Sequence, residues 1–342
     1  MKKVVLEQAS KANINLGLIK DNFDYFIKKK EVFFLRFFLS LFYFVFFLLE
    51  LFILIFLKLF VKGKIYETNK LLIYDTKSHF NCIRNHVKNG DMIINPFKKR
   101  FLILDFSLRI LVHQHLINLK YVLKKMPSFV SNKSRLTFLV KLFCSSKLIA
   151  TIYNWKFNEL ILGADDNWRF GSFIIASKLK NINSTTYQHG LIINKLRYIP
   201  ISDFFYTWSP NSKKEISNVL EKKVIVKKWN GHKINNIIIN PNAGKAVFLT
   251  KFTKDKFRNF LLKYGNLFDF IFIHPLQLLD KNNNKFYIFS DSLQYEFSSL
   301  VTVDSSICVD FHFSSIPFKS WVTNKEINRI LSSEINIKSK FV

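Results

Sequence analysis

The chain has 342 residues, with 52 Lys and Arg against 24 Asp and Glu, a net charge of +28. That length is enough for two domains, and the charge favours polyanions such as anionic headgroups or sugar phosphates. No zinc-finger spacing or basic heptad accompanies it, so specific nucleic-acid binding is not expected. Cys82, Cys144 and Cys308 are too far apart to form a metal-ligand pair or a disulfide framework. All three read as small buried hydrophobes in a reducing compartment.

Residues 1–31 are polar and lysine-rich, with weak helical character. Residues 32–61 are dominated by Phe and Leu, long enough for a helix that crosses a bilayer. The run starts too far from Met1, and lasts too long, for an ordinary signal peptide. Its polar positions, Arg36, Ser40, Tyr43, Glu50 and Lys58, fall on one narrow helical stripe at 100° per residue. Three readings fit: a helix lying in the interface with its polar edge to water, a spanning helix whose stripe packs on protein, or a buried core helix. Lys28, Lys29 and Lys30 precede the run, and Lys58, Lys62 and Lys64 close it. This symmetry gives no orientation by the positive-inside rule and favours an in-plane anchor.

Beyond it, strands are expected at 71–74, 92–94, 101–104, 159–162, 184–187 and 204–208. Helices are expected at 106–125, 135–151 and 171–180, with a loop and helix over 75–89. The strand–helix rhythm predicts a parallel α/β sheet. A helix over 213–221, capped by Ser212, follows. A second α/β pattern has strands at 246–249, 268–273, 285–289 and 300–303, and helices at 255–264 and 327–331. The expected division is a basic N-terminus and membrane-associating helix (1–64), an N-terminal Rossmann-like domain (65–209) and a C-terminal one (210–342).

The chemistry-bearing residues sit where strands should end, and ligands of open α/β sheets bind outside those ends. His189 follows Gln188 and precedes Gly190, which permits a sharp turn and close ligand approach. It reads as a general base or phosphate donor, or as a strand cap. Asp165 and Asp166 end the 159–162 strand. As neighbouring like charges they could make a base of one acid, or they are a helix cap and a solvated acid. Pro275 fixes the turn that would aim His274 out of its sheet toward a phosphoryl oxygen. Ser305 and Ser306 read as a phosphate cradle, a helix cap, or both. Asp310, one turn further, reads as a ribose contact or a surface acid. The Asp304, Asp310 and His312 spacing matches no metal signature, so no metal is expected.

These residues resemble those of glycosyltransferases of the two-Rossmann-domain (GT-B) type, closest to bacterial surface-polysaccharide enzymes that use cytidine-nucleotide donors. His274-Pro275 and Ser305-Ser306 resemble the His-Pro and paired Ser/Thr motifs of bacterial sialyltransferases. Asp165-Asp166-Asn167 resembles their two-acid motif, with Asn in place of Gly. His189-Gly190 resembles the His-Gly of CDP-glycerol glycerophosphotransferases. Asp310 and Ser315-Ile316-Pro317 stand where many such enzymes have Glu and Gly-x-Pro. The similarity covers about residues 159–320. It implies a nucleotide donor on the second domain, an acceptor on the first and chemistry in the cleft between them. Asp166 or His189 would be the base, and His274, Pro275, Ser305, Ser306 and Asp310 would hold the donor, with Asp165, Gln188 and Gly190 in support. Transfer would invert the sugar without a metal or other cofactor. The partners would be the nucleotide sugar, a glycan or glycolipid acceptor, an anionic membrane surface and other assembly proteins, at the cytoplasmic face of the bacterial inner membrane. The rival expectations are a nucleotide-sugar epimerase and a non-catalytic assembly factor with a decayed cleft.

Overall fold

The computed structural model describes residues 2–27, 33–60, 66–96, 106–126, 128–188, 199–207, 210–216, 223–226, 234–274, 277, 286–290, 293–305 and 307–342. The chain forms two compact units that divide after Lys227. Both are mixed α/β with parallel sheets, compatible with a two-domain Rossmann-like arrangement.

In the first unit the chain runs α1 (Lys2–Lys11), α2 (Leu16–Asp21), β1 (Phe26–Ile27), α3 (Phe33–Phe60), β2 (Lys70–Ile73), α4 (Lys77–Ile83), β3 (Met92–Ile94), α5 (Leu108–Lys125) and β4 (Ser128–Phe129). It continues through α6 (Asn132–Asn154), β5 (Glu159–Leu162), α7 (Trp168–Leu179), β6 (Ser184–Tyr187), β7 (Phe204–Thr207), α8 (Pro210–Glu215) and β8 (Lys223–Val226). The main sheet has the order β3-β2-β5-β6-β7-β8, every described pair parallel. Strand direction of connection reverses between β2 and β5, the switch point of this sheet. Leu71, Ile73, Leu160 and Leu162 face the layer of α2, α6 and α7, while Leu72 and Ile161 face Ile83 of α4. Successive strand side chains point to opposite faces, so a sheet covered on both sides needs the unbroken apolar runs seen here.

β8 (Lys223–Val226) pairs with β7 and so belongs to the first sheet, and the division lies beyond Ser209. Ser212 lies inside α8 and does not cap it, because the helix already starts at Pro210. The expected strand at 101–104 lies outside the described residues, as do Trp208 and residues 217–222. Cys308 is buried, Cys82 is half-buried and Cys144 is exposed on α6, so the expectation of three buried thiols fails for Cys144.

The polar N-terminal segment is an integral layer of this unit. Asn15 caps α2 through Leu18 N–H at 3.1 Å, and its amide donates to Ser145 Oγ, Trp168 O and Ser172 Oγ at 2.6, 2.8 and 3.1 Å. A Cβ on Gly171 would collide with Asn15 Oδ1, so α2 and α7 cross at backbone contact only because that position is glycine. Lys20 is 5% exposed, and its ammonium lies 3.3 Å from Asp165 Oδ1 and donates to the Ile199 carbonyl at 2.9 Å.

Two helices, Phe34–Phe56 within α3 and Asn132–Asn154 (α6), are long and apolar enough to cross a membrane, with 22% and 56% of their apolar windows buried. Of the polar stripe of α3, Arg36, Ser40, Tyr43 and Glu50 are buried or half-buried, and the Lys58 side chain lies outside the described residues. Tyr43 Oη lies 2.8 Å from His115 Nδ1 and accepts from Asn118 Nδ2 at 3.2 Å. His115 Nε2 lies 3.5 Å from Glu50 Oε2. Glu50 Oε1 also meets Lys147 Nζ at 3.3 Å. Among the described residues, fourteen large apolar side chains elsewhere on α3 are exposed, while Leu39 and Leu51 pack against the core.

The second unit contains β9 (Ile237–Ile239), β10 (Lys245–Leu249), α9 (Lys254–Tyr264), β11 (Phe270–Phe272), β12 (Phe286–Tyr287), β13 (Tyr295–Phe297), β14 (Ser299–Val303), α10 (Ile307–Phe313), β15 (Lys319–Val322), α11 (Lys325–Ile335) and β16 (Ser339–Phe341). Its main sheet has the order β12-β11-β10-β14-β15-β16, again with every described pair parallel. Relabelled within this sheet, that is 3-2-1-4-5-6, the dinucleotide-fold order, whose switch point lies between β10 and β14. Val247, Leu249, Val301 and Val303 pack with Phe257 and Phe260 of α9. Ala246, Phe248 and Leu300 pack with Phe311 of α10 on the opposite face.

Two outcomes follow. Lys20→Ala strands a buried carboxylate and should cost about 3–5 kcal/mol, read from the urea midpoint of the detergent-solubilised chain. Burial holds the His115 pKa below its usual value, against the opposing pull of Glu50. Below a pH of about 6.5 the unfolded chain takes up a proton there that the folded chain resists, so stability falls as pH falls. The slope over that range should flatten in His115→Phe, measured by unfolding across pH 5–7.

Candidate functional site

In the second unit three chain segments leave adjacent strands at one level. Val247 is opposite Ile271 and Phe248 opposite Phe272, while Leu249 is opposite Val303. Two residues past these strands in sequence come Lys251, His274 and Ser305, at the same end of the sheet and on strands that flank the switch point. The Thr250 N–H donates to Val303 O at 3.1 Å, which prolongs the β10–β14 ladder to that edge. The loop after β11 is fastened to the loop after β10: Gln277 N–H donates to His274 O at 2.8 Å, and Phe252 N–H to Gln277 Oε1 at 2.9 Å.

His274 is half-buried, and its pKa is lowered first by desolvation and then by the Lys251 charge. It is a neutral imidazole near pH 7, able to gain a proton when an anion arrives. Asp304 leaves β14 at φ 48°, an unusual backbone for a non-glycine residue. Its carboxylate holds that turn by accepting Thr323 N–H at 3.0 Å and the Thr323 hydroxyl. The turn delivers Ser305 just beyond the sheet. Asp310 sits half-buried on α10, where its charge and burial together push the Cys308 thiol pKa up, burial being the larger cause. Ser315 has φ 58°. It thus holds the conformation that favours the glycine of a Gly-x-Pro motif.

In the first unit the expected acids have divided fates. Asp165 is buried: Oδ1 faces Lys20, and Oδ2 accepts Ile201 N–H at 2.7 Å and Ser202 N–H at 3.3 Å. Both oxygens are engaged in holding the chain that leads into β7, so the paired-base reading does not fit Asp165. Asp166 is half-buried beside it. Asn167 caps α7 by accepting Arg169 and Phe170 N–H at 3.0 and 3.2 Å. Gln188 is buried after β6, its N–H bound to Tyr206 O at 2.9 Å. His189, Gly190, Pro275 and Ser306 lie outside the described residues.

Two groups, one in each unit, were not singled out from the sequence. Asp75, just beyond β2, contacts His79 Nδ1 through its Oδ1. Thr76 caps α4 by accepting His79 N–H at 3.2 Å. A Cβ on Gly163, which follows β5, would lie 2.6 Å from His79 Cβ, so the missing side chain lets α4 sit against the β5 end. An Asp–His pair thus flanks the switch point of the first sheet, in the i,i+4 spacing that one helical turn brings together. The carboxylate orients the ring and leaves Nε2 as the acceptor. Lys251 was likewise missed; its only sequence signal is its place two residues past a strand. Among the described residues no three His, Cys, Asp or Glu side chains gather in a way that could hold a metal ion.

The geometry makes one direct demand on solution behaviour. The His274 ring should titrate below about 6.5, and Lys251→Ala should raise its midpoint, because a repelling cation is removed. Proton NMR of the imidazole resonances checks both.

Compared with known proteins, the chain matches no family model and no curated protein sequence.

Proposed function

We propose that this chain is a GT-B-type glycosyltransferase. It moves a sugar, or a glycerophosphate-like group, from a cytidine-nucleotide donor to a surface glycan or glycolipid at a membrane. What supports the reading is the register of the second sheet, in which Lys251, His274 and Ser305 each follow the end of a strand beside the switch point of a 3-2-1-4-5-6 sheet, with the Lys251 charge felt at His274. A cation, a hydroxyl and an imidazole that gains a proton are the groups needed to hold a phosphate and to stabilise it as it departs. Ser306 and Pro275 complete the two motifs in sequence, and Asp310 is placed on the following helix for a ribose hydroxyl.

The acceptor binds the first unit. Its hydroxyl attacks the donor carbon from the face opposite the nucleotide, the bond to phosphate breaks, and the sugar inverts. The acceptor proton passes to a base of the first unit, drawn from Asp166, His189 and the Asp75–His79 pair. The nucleotide leaves with the bonding electrons, neutralised by Lys251 and His274. The exposed apolar face of α3 keeps the protein beside a membrane-bound acceptor at the cytoplasmic face. A non-catalytic reading draws on Asp165, whose engagement removes half of the expected acid pair.

The experiment is donor hydrolysis over a panel of CMP-, CDP- and UDP-activated sugars and CDP-glycerol. Slow release of free CMP or CDP is expected, falling at least 100-fold in His274→Ala with an unchanged circular dichroism spectrum. CDP that binds without any donor being turned over would favour the non-catalytic reading. A panel neither bound nor hydrolysed would end the transferase proposal.

A further inference from the structure

We propose that the chain is a monotopic membrane protein, in which α3 lies along one leaflet with its apolar face in lipid and does not cross the bilayer. This deepens the membrane placement proposed above and rests on it, while standing apart from the chemistry.

A surface helix of a water-soluble domain turns its apolar stripe inward. In α3 that arrangement is reversed. The side chains it gives to α5 and α6 are Arg36, Ser40, Tyr43, Phe47, Glu50 and Leu54, spaced three or four apart along one seam. Four of the six are polar. Outside the seam, fourteen large apolar side chains of α3 are exposed, Phe34 and Phe52 by 67% and 73%. Given the area of an aromatic side chain, this face is on the order of 1,000 Å², against a few hundred on an ordinary monomer.

Charge selects lipid as the occupant. Lys28, Lys29 and Lys30 stand before the helix in sequence, and Lys58, Lys62 and Lys64 at or beyond its end. Anionic headgroups complement both ends. A second copy laid on this face, parallel or antiparallel, would set lysines against lysines.

Packing decides between lying and crossing. Arg36 donates to Lys124 O at 3.3 Å, Tyr43 bonds His115 and Asn118, and Leu54 packs with Leu111. α3 is therefore sealed antiparallel to α5 along most of its length. α5 exposes Arg109, Lys120, Lys124 and Lys125. One Lys or Arg at the bilayer centre offsets roughly five or more leucines. A crossing α3 would either drag these cations into hydrocarbon or strip Tyr43 and Glu50 of their partners inside it. Lying flat avoids both. The 28-residue helix is about 42 Å long, and sinking its outer face ~5–10 Å buries the phenylalanines while α5 stays in the aqueous layer.

The test uses the full chain with Cys82→Ser and Cys144→Ser, carrying either Lys30→Cys or Lys62→Cys. A membrane-impermeant maleimide should label both sites in inverted membrane vesicles and neither in right-side-out spheroplasts. Labelling from opposite sides would overturn the inference while leaving membrane association intact. In parallel, folded protein freed of detergent should float with preformed vesicles of 70% phosphatidylcholine and 30% phosphatidylglycerol. Phe38→Asp with Phe52→Asp should cut the bound fraction at least tenfold at an unchanged circular dichroism melting curve. If the folded wild type stays off vesicles, whether as a monomer or as a dimer broken by the same substitutions, both the membrane placement and this inference fail.

Discussion

An ion pair far from water holds the first unit in shape. Lys20 comes from a short helix near the start of the chain, and Asp165 from the end of a central strand. Two charges are costly to desolvate, and an isolated buried pair of this kind often does no better than apolar packing. Here the cost is offset by position: Asp165 also accepts two backbone N–H groups of the segment entering β7, and Lys20 also satisfies a backbone carbonyl. The pair thus welds the N-terminal layer, the β5 end and the β7 entry into one edge. That edge is where the acceptor side of the proposed reaction lies, and Asp165, expected in a supporting role, is the acid that ties its segments together.

The same economy governs α3. Its few polar side chains are spent on the interior, and its many apolar ones are left outside. Such a helix is stable only if two different surroundings are supplied together: hydrogen-bonding partners such as Asn118 and His115 on one side, and a non-aqueous phase on the other. The proposed membrane association would then be a property of how the domain is built rather than of an added tail.

Much of this architecture was legible in the residues. Leu71-Leu72-Ile73, Leu160-Ile161-Leu162 and Leu300-Val301-Thr302-Val303 are apolar runs that only a sheet covered on both faces accommodates, and each is a strand. The α3 stripe was legible because helical period alone fixes which side chains share a face. β15 and β16 were not, because Lys319-Ser320-Trp321-Val322 and Ser339-Lys340-Phe341 mix polar and apolar residues; β15 lies between β14 and β16, and β16 is the edge strand. The role of Asp165 was hidden for a different reason: its partner lies 145 residues away, and no local pattern marks a long-range ion pair. Asp75 and His79 did carry a local pattern, the i,i+4 spacing, but their meeting at a strand end depends on the absent side chain of Gly163, which becomes visible only once β2 and β5 are neighbours. Of the donor edge, His274 and Ser305 announced themselves by position, and the lysine between them did not.

The antiparallel seam between α3 and α5 also sets an order of events during synthesis. Phe60 ends the first helix and Lys125 the second, a gap of 125 − 60 = 65 residues. At ~5–20 residues per second, several seconds pass in which the phenylalanine-rich helix has left the ribosome and His115, Asn118 and Lys147 have not. During that interval its tyrosine and glutamate have no mates and its hydrocarbon surface has no cover. On the proposed membrane placement, the nascent chain reaches lipid before it reaches its own fold, and translation in a membrane-free extract should yield aggregate rather than folded protein.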